Sequence, residues 1–307
     1  MDPSGGGYPR GMRIVAALGG NALLERGEAP GPRIQEKHVL AAAGALAPLA
    51  REHELVVTHG NGPQIGLLAM ELGDPFDVLG AQTQGMIGYW LVQALHNLAG
   101  LDAVCVLTRT LVHADDPAFA APSKFVGPVY DEETARRLAA RRSWAIRPDG
   151  GAWRRVVPSP EPAGIVELPH LRRAVESGAT VVCAGGGGIP VRAAEDGLTG
   201  VEAVVDKDLT AALLARELAA DVLLLLTDVD AVQDGFGTPG ARPIRHATPG
   251  ELRTRSFPDG SMGPKVTAAC RFAEGGERFA AIGRLTDAAA LAAGSRGTIV
   301  SARPRPR

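Results

Sequence analysis

Short apolar runs alternate along this chain with longer segments of helical character. Six of the apolar runs have the length of a strand, at residues 13–18, 55–58, 103–107, 180–184, 222–227 and 278–282. Each run is almost entirely apolar, as expected of a strand that is buried on both faces of a parallel sheet. Helices are predicted between the strands, at residues 34–53, 82–98, 168–177, 208–219 and 264–273. The alternation predicts an α/β fold with helices on both faces of the sheet, and Pro48 is expected to end or kink the first helix.

Residues 113–161 break this alternation and are rich in Pro, Arg and Asp. A short helix is predicted at residues 131–142. Residues 144–147 and 152–157 predict a β-hairpin that is joined by the Pro-Asp-Gly-Gly sequence at residues 148–151. We interpret residues 113–161 as an excursion from the main sheet, either a lid or a protruding subdomain. On the pattern alone, a merely decorative insertion explains the segment equally well.

Three glycine-rich turns follow predicted strands, at the sheet edge where open α/β folds bind their ligands. The turn residues that we single out are Gly19, Gly20, Asn21, Gly60, Asn61, Gly62, Gly186 and Gly187. Glycine lets the backbone approach an anion closely, and successive N–H groups can bind one. Each turn alone is equally well explained as a tight strand-to-helix connection. None has the Walker or dinucleotide-binding pattern, so together they predict a phosphate site of another type.

Three lysines are candidates for a functional role, in a chain whose basic residues are otherwise mostly arginine: Lys124, Lys207 and Lys265. Transfer of a phosphoryl group needs positive charge near the migrating oxygens, and a lysine is a compact, mobile charge that can supply it. A solvated surface lysine is the favoured alternative for Lys124 on local pattern alone. For Lys207, the flanking Asp206 and Asp208 could instead be simple helix caps.

Composition narrows the class of protein. The net charge of -2 excludes the basic surface of a nucleic-acid-binding protein. No apolar run has membrane-spanning length, so we expect no membrane association. The three cysteines are far apart, which favours a reducing compartment and hence the cytoplasm. Neither these cysteines nor the histidines have the spacing of a metal site, so we expect no metal bound by the protein itself.

The ordered series of motifs resembles one family closely. The segments that carry the resemblance are residues 15–22, 59–64, 83–90, 153–160, 185–190, 200–208 and 260–265. They resemble the carbamate kinases of the amino acid kinase superfamily, from about residue 12 to residue 300. The segments at residues 83–90 and 153–160 are characteristic of carbamate kinases more than of other members.

The resemblance implies a three-layer α/β/α sandwich with a central, mostly parallel sheet. This domain would span residues 12–302, with residues 113–161 inserted as a lid, after a disordered leader at residues 1–11. The implied enzyme is a homodimeric phosphotransferase that converts ATP and carbamate into ADP and carbamoyl phosphate. Mg²⁺ would be carried by the nucleotide.

The resemblance also implies roles for the residues singled out above. Lys124, Lys207 and Lys265 would surround the path of the phosphoryl group, and the glycine turns with Asn21 and Asn61 would hold the phosphoryl and carbamate ends. The residues expected to face the nucleotide are Asp206, Thr227, Asp228, Met262 and Lys265. For Thr227 and Asp228, a turn or a helix cap remains an equal alternative. The alternative functions are another small-acid or nucleotide kinase of the superfamily, a non-catalytic ligand sensor on this fold and, more distantly, a dinucleotide oxidoreductase.

Overall fold

The computed structural model describes residues 11–20, 23–24, 28, 31–258 and 260–303. The expected leader therefore lies almost entirely outside the described residues. The strands in chain order are β1 (Arg13–Leu18), β2 (Glu54–His59), β3 (Ala103–Val106), β4 (Arg109–Leu111), β5 (Lys124–Tyr130), β6 (Ala145–Asp149), β7 (Ala152–Val157), β8 (Gly164–Ile165), β9 (Thr180–Cys183), β10 (Ile189–Ala194), β11 (Gly197–Gly200), β12 (Val222–Thr227), β13 (Gln233–Asp234), β14 (Arg242–Pro243), β15 (His246–Ala247), β16 (Phe279–Arg284) and β17 (Thr298–Ser301). The α-helices are α1 (Pro32–Glu52), α2 (Gly62–Glu71), α3 (Phe76–Ala99), α4 (Glu132–Arg142), α5 (Leu168–Glu176), α6 (Lys207–Glu217), α7 (Pro249–Arg253), α8 (Met262–Ala273) and α9 (Ala288–Ala292).

A central sheet contains all six strands that the apolar runs predict. Its order is β15-β17-β16-β12-β1-β2-β9-β3, and every pairing is parallel except that between β16 and β17. Two members of this sheet, β15 and β17, were not predicted. Their apolar runs are only one residue long in β15 (Ala247) and two in β17 (Ile299 and Val300), which is too short to be recognised.

Helices cover both faces of the sheet, as the predicted three-layer architecture requires. Alternate residues of β1 point to opposite faces. Val15 and Ala17 pack in a core cluster with α5, α6 and α8, whereas Ile14, Ala16 and Leu18 pack in a second cluster with α1, α3 and α9. These β1 residues are completely buried, which explains why the strand is apolar at every position after Arg13.

Pro48 was expected to end or kink the first helix, and the first of these alternatives was wrong. Helix α1 continues past Pro48 to Glu52. Leu46 and Leu49, on either side of the proline, are buried in the core, while Pro48 itself is exposed. Tertiary packing therefore holds the last turn despite the missing backbone N–H group.

Helix α2 was not predicted, because its first residues, Gly62 and Pro63, were interpreted only as a turn. Proline within the first turn is in fact favourable for a helix start, since its missing N–H group has no partner there in any case. Helix α3 begins at Phe76, six residues before its predicted start.

Residues 113–161, which we name the lid segment after one of the roles predicted for them, contain a three-stranded antiparallel sheet with the order β5-β7-β6. Helix α4 agrees with the predicted helix, and Asp131 caps its N-terminus. The hairpin exists, but β6 runs over Ala145–Asp149, so the turn is reduced to Gly150 and Gly151, both with positive φ. The edge strand tolerates Pro148 because one side of an edge strand donates no ladder hydrogen bonds.

None of the helices within the described ranges has both the length and the apolar content needed to span a membrane. All three cysteines are free thiols; Cys183 and Cys270 are buried and Cys105 is half-buried. Burial raises the pKa of each of them, so they stay protonated at neutral pH.

Candidate active site

Four parallel strands bring the predicted turns to one edge of the sheet. Strands β12, β1, β2 and β9 are neighbours, and each ends at the same edge. Strand β12 ends at Thr227, and the other three strands lead into Gly19, Gly60 and the turn that begins at Ala184. Asn21, which was predicted to act beside Gly20, lies outside the described residues. The remaining turns form one continuous surface.

The glycine turns are in contact backbone to backbone. A Cβ atom at Gly60 would lie 2.8 Å from the nitrogen of Gly20. A Cβ atom at Gly186, where φ is +67°, would overlap the side-chain amide of Asn61. Any side chain larger than hydrogen would therefore push neighbouring turns apart. Glycine is required at these positions because the strand ends close on each other.

Threonine hydroxyls hold the third turn in its left-handed conformation. Ala184, Gly186, Gly187 and Gly188 all have positive φ. The carbonyl of Gly187 accepts hydrogen bonds from the hydroxyls of Thr110, at 2.8 Å, and Thr210, at 3.0 Å. Such backbone is strained at Ala184, so it persists only where its surroundings hold it.

Helix α3 supports the second and third turns through two buried polar residues that were not predicted individually. Thr83 accepts a hydrogen bond of 2.9 Å from the side-chain amide of Asn61. Gln84 makes two bonds to the backbone of Thr108, donating at 3.1 Å and accepting at 2.9 Å. Their signal in the sequence is a Thr-Gln pair within an otherwise apolar stripe of the helix. Both residues belong to the segment at residues 83–90 that carries the family resemblance.

The three predicted lysines come together around two carboxylates. Nζ of Lys207 lies 2.6 Å from Oδ1 of Asp208, and Nζ of Lys265 lies 3.0 Å from Oδ2 of the same residue. Nζ of Lys124, from the lid segment, lies 2.5 Å from Oδ2 of Asp206. Three ammonium groups thus share two carboxylates, which leaves one positive charge in the cluster. The sequence has four lysines, so three of them converge here.

Asp206 both caps a helix and orients a lysine. Its Oδ1 atom accepts hydrogen bonds from the backbone N–H groups of Asp208, at 2.9 Å, and Leu209, at 3.3 Å, at the start of α6. Its Oδ2 atom is the partner of Lys124. The helix-cap interpretation of Asp206 is therefore confirmed, and the second oxygen of the same carboxylate leaves it free to pair with Lys124. A role of Lys207 toward a ligand stays a prediction.

Burial and mutual attraction set the charge states of the buried lysine pair. Burial lowers the pKa of Lys207, and the Asp208 carboxylate offsets this only in part. Burial would also lower the pKa of Lys265, but the carboxylates of Asp208, Asp206 and Asp228 raise it above its ordinary value. Burial opposes ionisation of Asp208, yet the two ammonium groups outweigh it and hold its pKa well below the usual range. Asp208 is therefore a carboxylate clamped between two cations.

His59 is a neutral brace in this site. Its Nδ1 atom donates a hydrogen bond of 3.0 Å to the carbonyl of Gly60, which assigns the proton to Nδ1. Burial lowers the pKa of the imidazole to about 4, with a smaller contribution from the charge of Lys207. The ring packs against Gly185, where a Cβ atom would overlap it. His59 therefore braces the second glycine turn against the third.

The residues predicted to face the nucleotide flank the lysine cluster. Thr227 ends β12 and donates a hydrogen bond of 3.1 Å to Oδ1 of Asp228. Asp228 lies near enough to Lys265 to raise its pKa. Met262 begins α8, three residues before Lys265, and packs against the core. Thr227 and Asp228 lie at the end of β12, at the same sheet edge as the glycine turns.

Comparison with known proteins identifies the family. The sequence pattern of the amino acid kinase family matches residues 12–283. A carbamate kinase from Rhizobium meliloti is 51% identical over 302 residues, covering 94% of this chain and 93% of that protein. A carbamate kinase from Pyrococcus furiosus is 45% identical over 311 residues, covering 94% and 99%. The chain belongs to the amino acid kinase family, in its carbamate kinase branch.

Solved structures of family members agree with this assignment. The carbamate kinase from Giardia lamblia bound to AMP-PNP is 36% identical, with a TM-score of 0.86 over 95% of this chain and 98% of that one. UMP kinase from Bacillus anthracis is only 14% identical, with a TM-score of 0.54, and shares the fold alone. The resemblance drawn from the motifs is confirmed, and so is the three-layer architecture.

The neutral, buried His59 predicts acid sensitivity. As the pH falls from about 6.5 to 4, the unfolded chain protonates this histidine and the folded protein does not, so the free energy of unfolding decreases. The gap between 6.5 and about 4 corresponds to about 3 kcal/mol. Replacing His59 with Asn, which keeps an N–H donor but cannot titrate, should flatten the dependence in this window. Urea unfolding of both proteins at several pH values measures how the free energy of unfolding depends on pH. An equal dependence in the two proteins would contradict the assignment of His59 as a neutral, buried group.

Proposed function

We infer that this protein is a carbamate kinase, which transfers a phosphoryl group reversibly between ATP and carbamate to give ADP and carbamoyl phosphate. The observation that carries the inference is the convergence of Lys124, Lys207 and Lys265 on the glycine-lined edge of the sheet. The full-length similarity to carbamate kinases supplies the identity of the acceptor. The net charge of -2 gives no overall field that attracts an anion, so this local charge must do so.

The chemistry requires charge stabilisation and no general base. Carbamate is an anion, so its oxygen attacks the γ-phosphorus without losing a proton. The bond from that phosphorus to the bridging oxygen breaks, and ADP leaves with the electron pair. The obstacle is the repulsion between two anions, which placed ammonium groups relieve. We propose that Lys207 and Lys265 approach the phosphate oxygens from the body of the enzyme, and Lys124 from the lid segment.

Asp208 holds the ammonium groups of Lys207 and Lys265 in position for the proposed phosphoryl transfer. Its two oxygens hold their ammonium groups at 2.6 and 3.0 Å, which fixes their separation before any substrate arrives. A preorganised pair of charges does not have to rearrange during the reaction. Incoming phosphate oxygens would then compete with Asp208 for ammonium groups that are already in position.

The glycine turns are proposed to bind the transferred phosphoryl and carbamate ends. We assign this role to Gly19, Gly20, Gly60, Gly62, Gly186 and Gly187, with Asn21 and Asn61. Nucleotide contacts are assigned to Asp206, Thr227, Asp228 and Met262, together with Lys265.

Mg²⁺ is proposed to arrive with the nucleotide. The two carboxylates of the cluster are already engaged, Asp206 by Lys124 and helix N–H groups and Asp208 by two lysines. Among the residues that the structure describes, no group of three His, Cys, Asp or Glu side chains could hold a metal ion. A divalent ion held through phosphate oxygens fits this donor set, and it would neutralise charge on the transferred group.

The lid segment is proposed to cover the reacting groups. Carbamoyl phosphate is a mixed anhydride that water destroys, so exclusion of water has a chemical purpose. Lys124 belongs to β5 of this segment, whereas its partner Asp206 belongs to the body. A cytoplasmic location is proposed because all three cysteines are free thiols.

A homodimer that associates through β3 is also proposed. Strand β3 is the last strand of the central sheet, and edge strands with exposed apolar residues tend to associate. Val104 on β3 is exposed, as are Leu107 beyond it and Tyr89 and Leu98 on the adjacent α3. A groove lined by residues of α3 and β3, with a volume of about 640 Å³, runs along the same face.

Enzyme assay tests the function directly. We expect the protein to form ATP from ADP and carbamoyl phosphate, and to use acetyl phosphate far less well. Equal rates with the two acyl phosphates would favour a different small-acid kinase. Binding of ADP and carbamoyl phosphate without turnover would identify a ligand sensor.

Alanine variants of the three lysines should differ in their effects on kcat and on the Kd for ADP. Lys207→Ala should lower kcat at least about a hundredfold, because it removes a placed charge-stabilising donor. Lys124→Ala should lower kcat markedly with little change in the Kd for ADP, since its role is limited to the transferred group. Lys265→Ala should weaken ADP binding as well. The exposed Lys37 provides the matched control, and Lys37→Ala should change neither quantity.

Calorimetric titration with ADP and steady-state kinetics measure these effects. If Lys124→Ala loses ADP binding as severely as Lys265→Ala does, the lid segment belongs to the nucleotide pocket. A near-normal kcat for Lys207→Ala would remove that residue from the site.

The dimer should depend on the β3 edge. Val104→Lys places a charge on the exposed edge strand, where lysine opposes association, and should yield monomers in light-scattering measurements. Leu198→Lys, on the exposed strand β11 of another sheet, is the control and should leave the oligomeric state unchanged. A dimer that survives Val104→Lys would rule out this interface.

A further inference from the structure

Arg155, on the central strand of the lid sheet, contacts the body of the protein away from the lysine cluster. Its guanidinium lies 4.7 Å from the ring centre of Phe76, the first residue of α3, and 4.6 Å from the ring centre of Trp144. It also lies 3.4 Å from the carboxylate of Glu202. Stacking between two rings suits the flat guanidinium in a way that the ammonium group of lysine cannot reproduce. The Arg155 side chain is largely buried, whereas the Glu202 side chain is exposed, so the contacts with the rings are shielded from solvent but the ion pair is not.

Arg155 faces the body on the same side of the lid sheet as Lys124. In the antiparallel ladder Lys124 pairs with Val157 and Val126 pairs with Arg155. Directly opposed residues share a face, and so do residues two apart on one strand. Val126 and Val157 form the apolar centre of this face and pack against Phe76 and Val204 of the body. Lys124 and Arg155 are therefore the polar residues that border one apolar contact.

Both of these basic residues meet one loop of the body. We define the linking loop as residues 201–206, which connect β11 to α6. Arg155 contacts Glu202 near its start, and Lys124 contacts Asp206 at its end. Between them, the backbone N–H of Val204 donates a hydrogen bond of 3.0 Å to the carbonyl of Pro158, just after β7. The lid sheet is thus attached to this loop at three successive points.

The linking loop is itself fixed to the body and leads directly to a catalytic lysine. The carboxylate of Glu202 accepts a hydrogen bond of 2.9 Å from the backbone N–H of Phe76 at the start of α3. Lys207 follows Asp206 immediately. A shift of the lid sheet along the loop would therefore displace Lys124 from Asp206 and from the lysines beyond it.

We propose that Arg155 is a positioning residue: its contacts with Phe76, Trp144 and Glu202 set where the lid sheet docks on the linking loop, and thereby where Lys124 lies relative to Lys207. The inference rests on the proposed role of Lys124 in phosphoryl transfer. Arg155 acts at a distance from the reacting groups and touches neither substrate.

Replacement of Arg155 by Met tests the proposal, since methionine keeps most of the apolar stem but removes the charged plane. We expect kcat to fall between about ten- and a hundredfold, because small misplacements of a catalytic group have effects of that size. The Kd for ADP should change by less than about twofold. Arg147→Met is the matched control: Arg147 is exposed on β6 and pairs with Arg154, on the face opposite to Arg155. It should leave kcat unchanged.

A double-mutant cycle separates positioning from simple stabilisation. If Arg155 acts through Lys124, adding Arg155→Met to Lys124→Ala should lower kcat by less than about twofold further. Effects that multiply would overturn the proposal. So would a normal kcat for Arg155→Met with only a lowered Tm, or a loss of ADP binding equal to the loss of kcat.

Chemical labelling of lysines gives a readout that does not depend on activity. Acylation followed by mass spectrometry should show Lys124 about three- to tenfold more reactive in Arg155→Met, relative to the exposed Lys37, because its pairing with Asp206 is weakened. Unchanged labelling of Lys124 would overturn the proposal. If the wild-type enzyme proved inactive with carbamoyl phosphate, that result would count against the proposed function alone, and the labelling experiment would still test the role of Arg155. If Arg155→Met does not fold, Glu202→Gln keeps an acceptor for Phe76 and removes the paired charge. Like Arg155→Met, the Glu202→Gln variant should show increased labelling of Lys124 and a lower kcat. The absence of both changes would overturn the proposal.

Discussion

The clamp of two buried lysines on one carboxylate is the interaction on which the rest of the site depends. Asp208 can be ionised in the interior only because Lys207 and Lys265 are both within hydrogen-bonding distance. Removing one partner from such a buried group is costly, typically about 3–5 kcal/mol, because the remaining charge is left uncompensated. The starts of α6 and α8 must therefore stay side by side. In the proposed function, the arrangement that stabilises this part of the fold is also the one that presents two cations to a phosphate.

The glycine turns explain how this charge cluster comes to lie at an open edge of the sheet. Strands β1, β2 and β9 end together, and their turns are in contact because Gly60 and Gly186 have no side chains. The positive-φ turn after β9 is held by threonine hydroxyls, which fix its backbone without adding charge. A neutral His59 completes the support, since burial, and to a smaller extent repulsion by Lys207, disfavours the protonated imidazole. Because the threonine hydroxyls and the neutral imidazole carry no charge, the positive electrostatic potential of the site comes from the lysines.

The lid sheet and the linking loop relate the third lysine to the other two. Lys124 belongs to a separate small sheet, so its position is set by how that sheet packs on the body. Gly66 of α2 and Gly127 of β5 approach so closely that a Cβ at Gly66 would lie 2.8 Å from the Gly127 backbone. Arg154 donates a hydrogen bond of 2.7 Å to the carbonyl of Gly127 at the bulge in β5. Arg154 therefore shapes the strand that carries Lys124, while Arg155 docks that strand on the body.

The sequence by itself determined six of the eight strands of the central sheet, the glycine turns at their ends and the three lysines. Burial on both faces, close backbone approach and retained positive charge each leave a local pattern. The helical reach of α1 past Pro48, the start of α2 at Gly62 and the short strands β15 and β17 were decided by tertiary packing, which overrides local propensity. Only the tertiary structure paired Lys124 with Asp206, 82 residues away, and clamped Lys265 on Asp208, 57 residues away. The supporting roles of Thr83, Gln84 and Arg155 likewise emerged only from the fold. A polar residue within an apolar stripe shows that a partner must exist, but the identity of that partner depends on which distant segment the chain brings beside it.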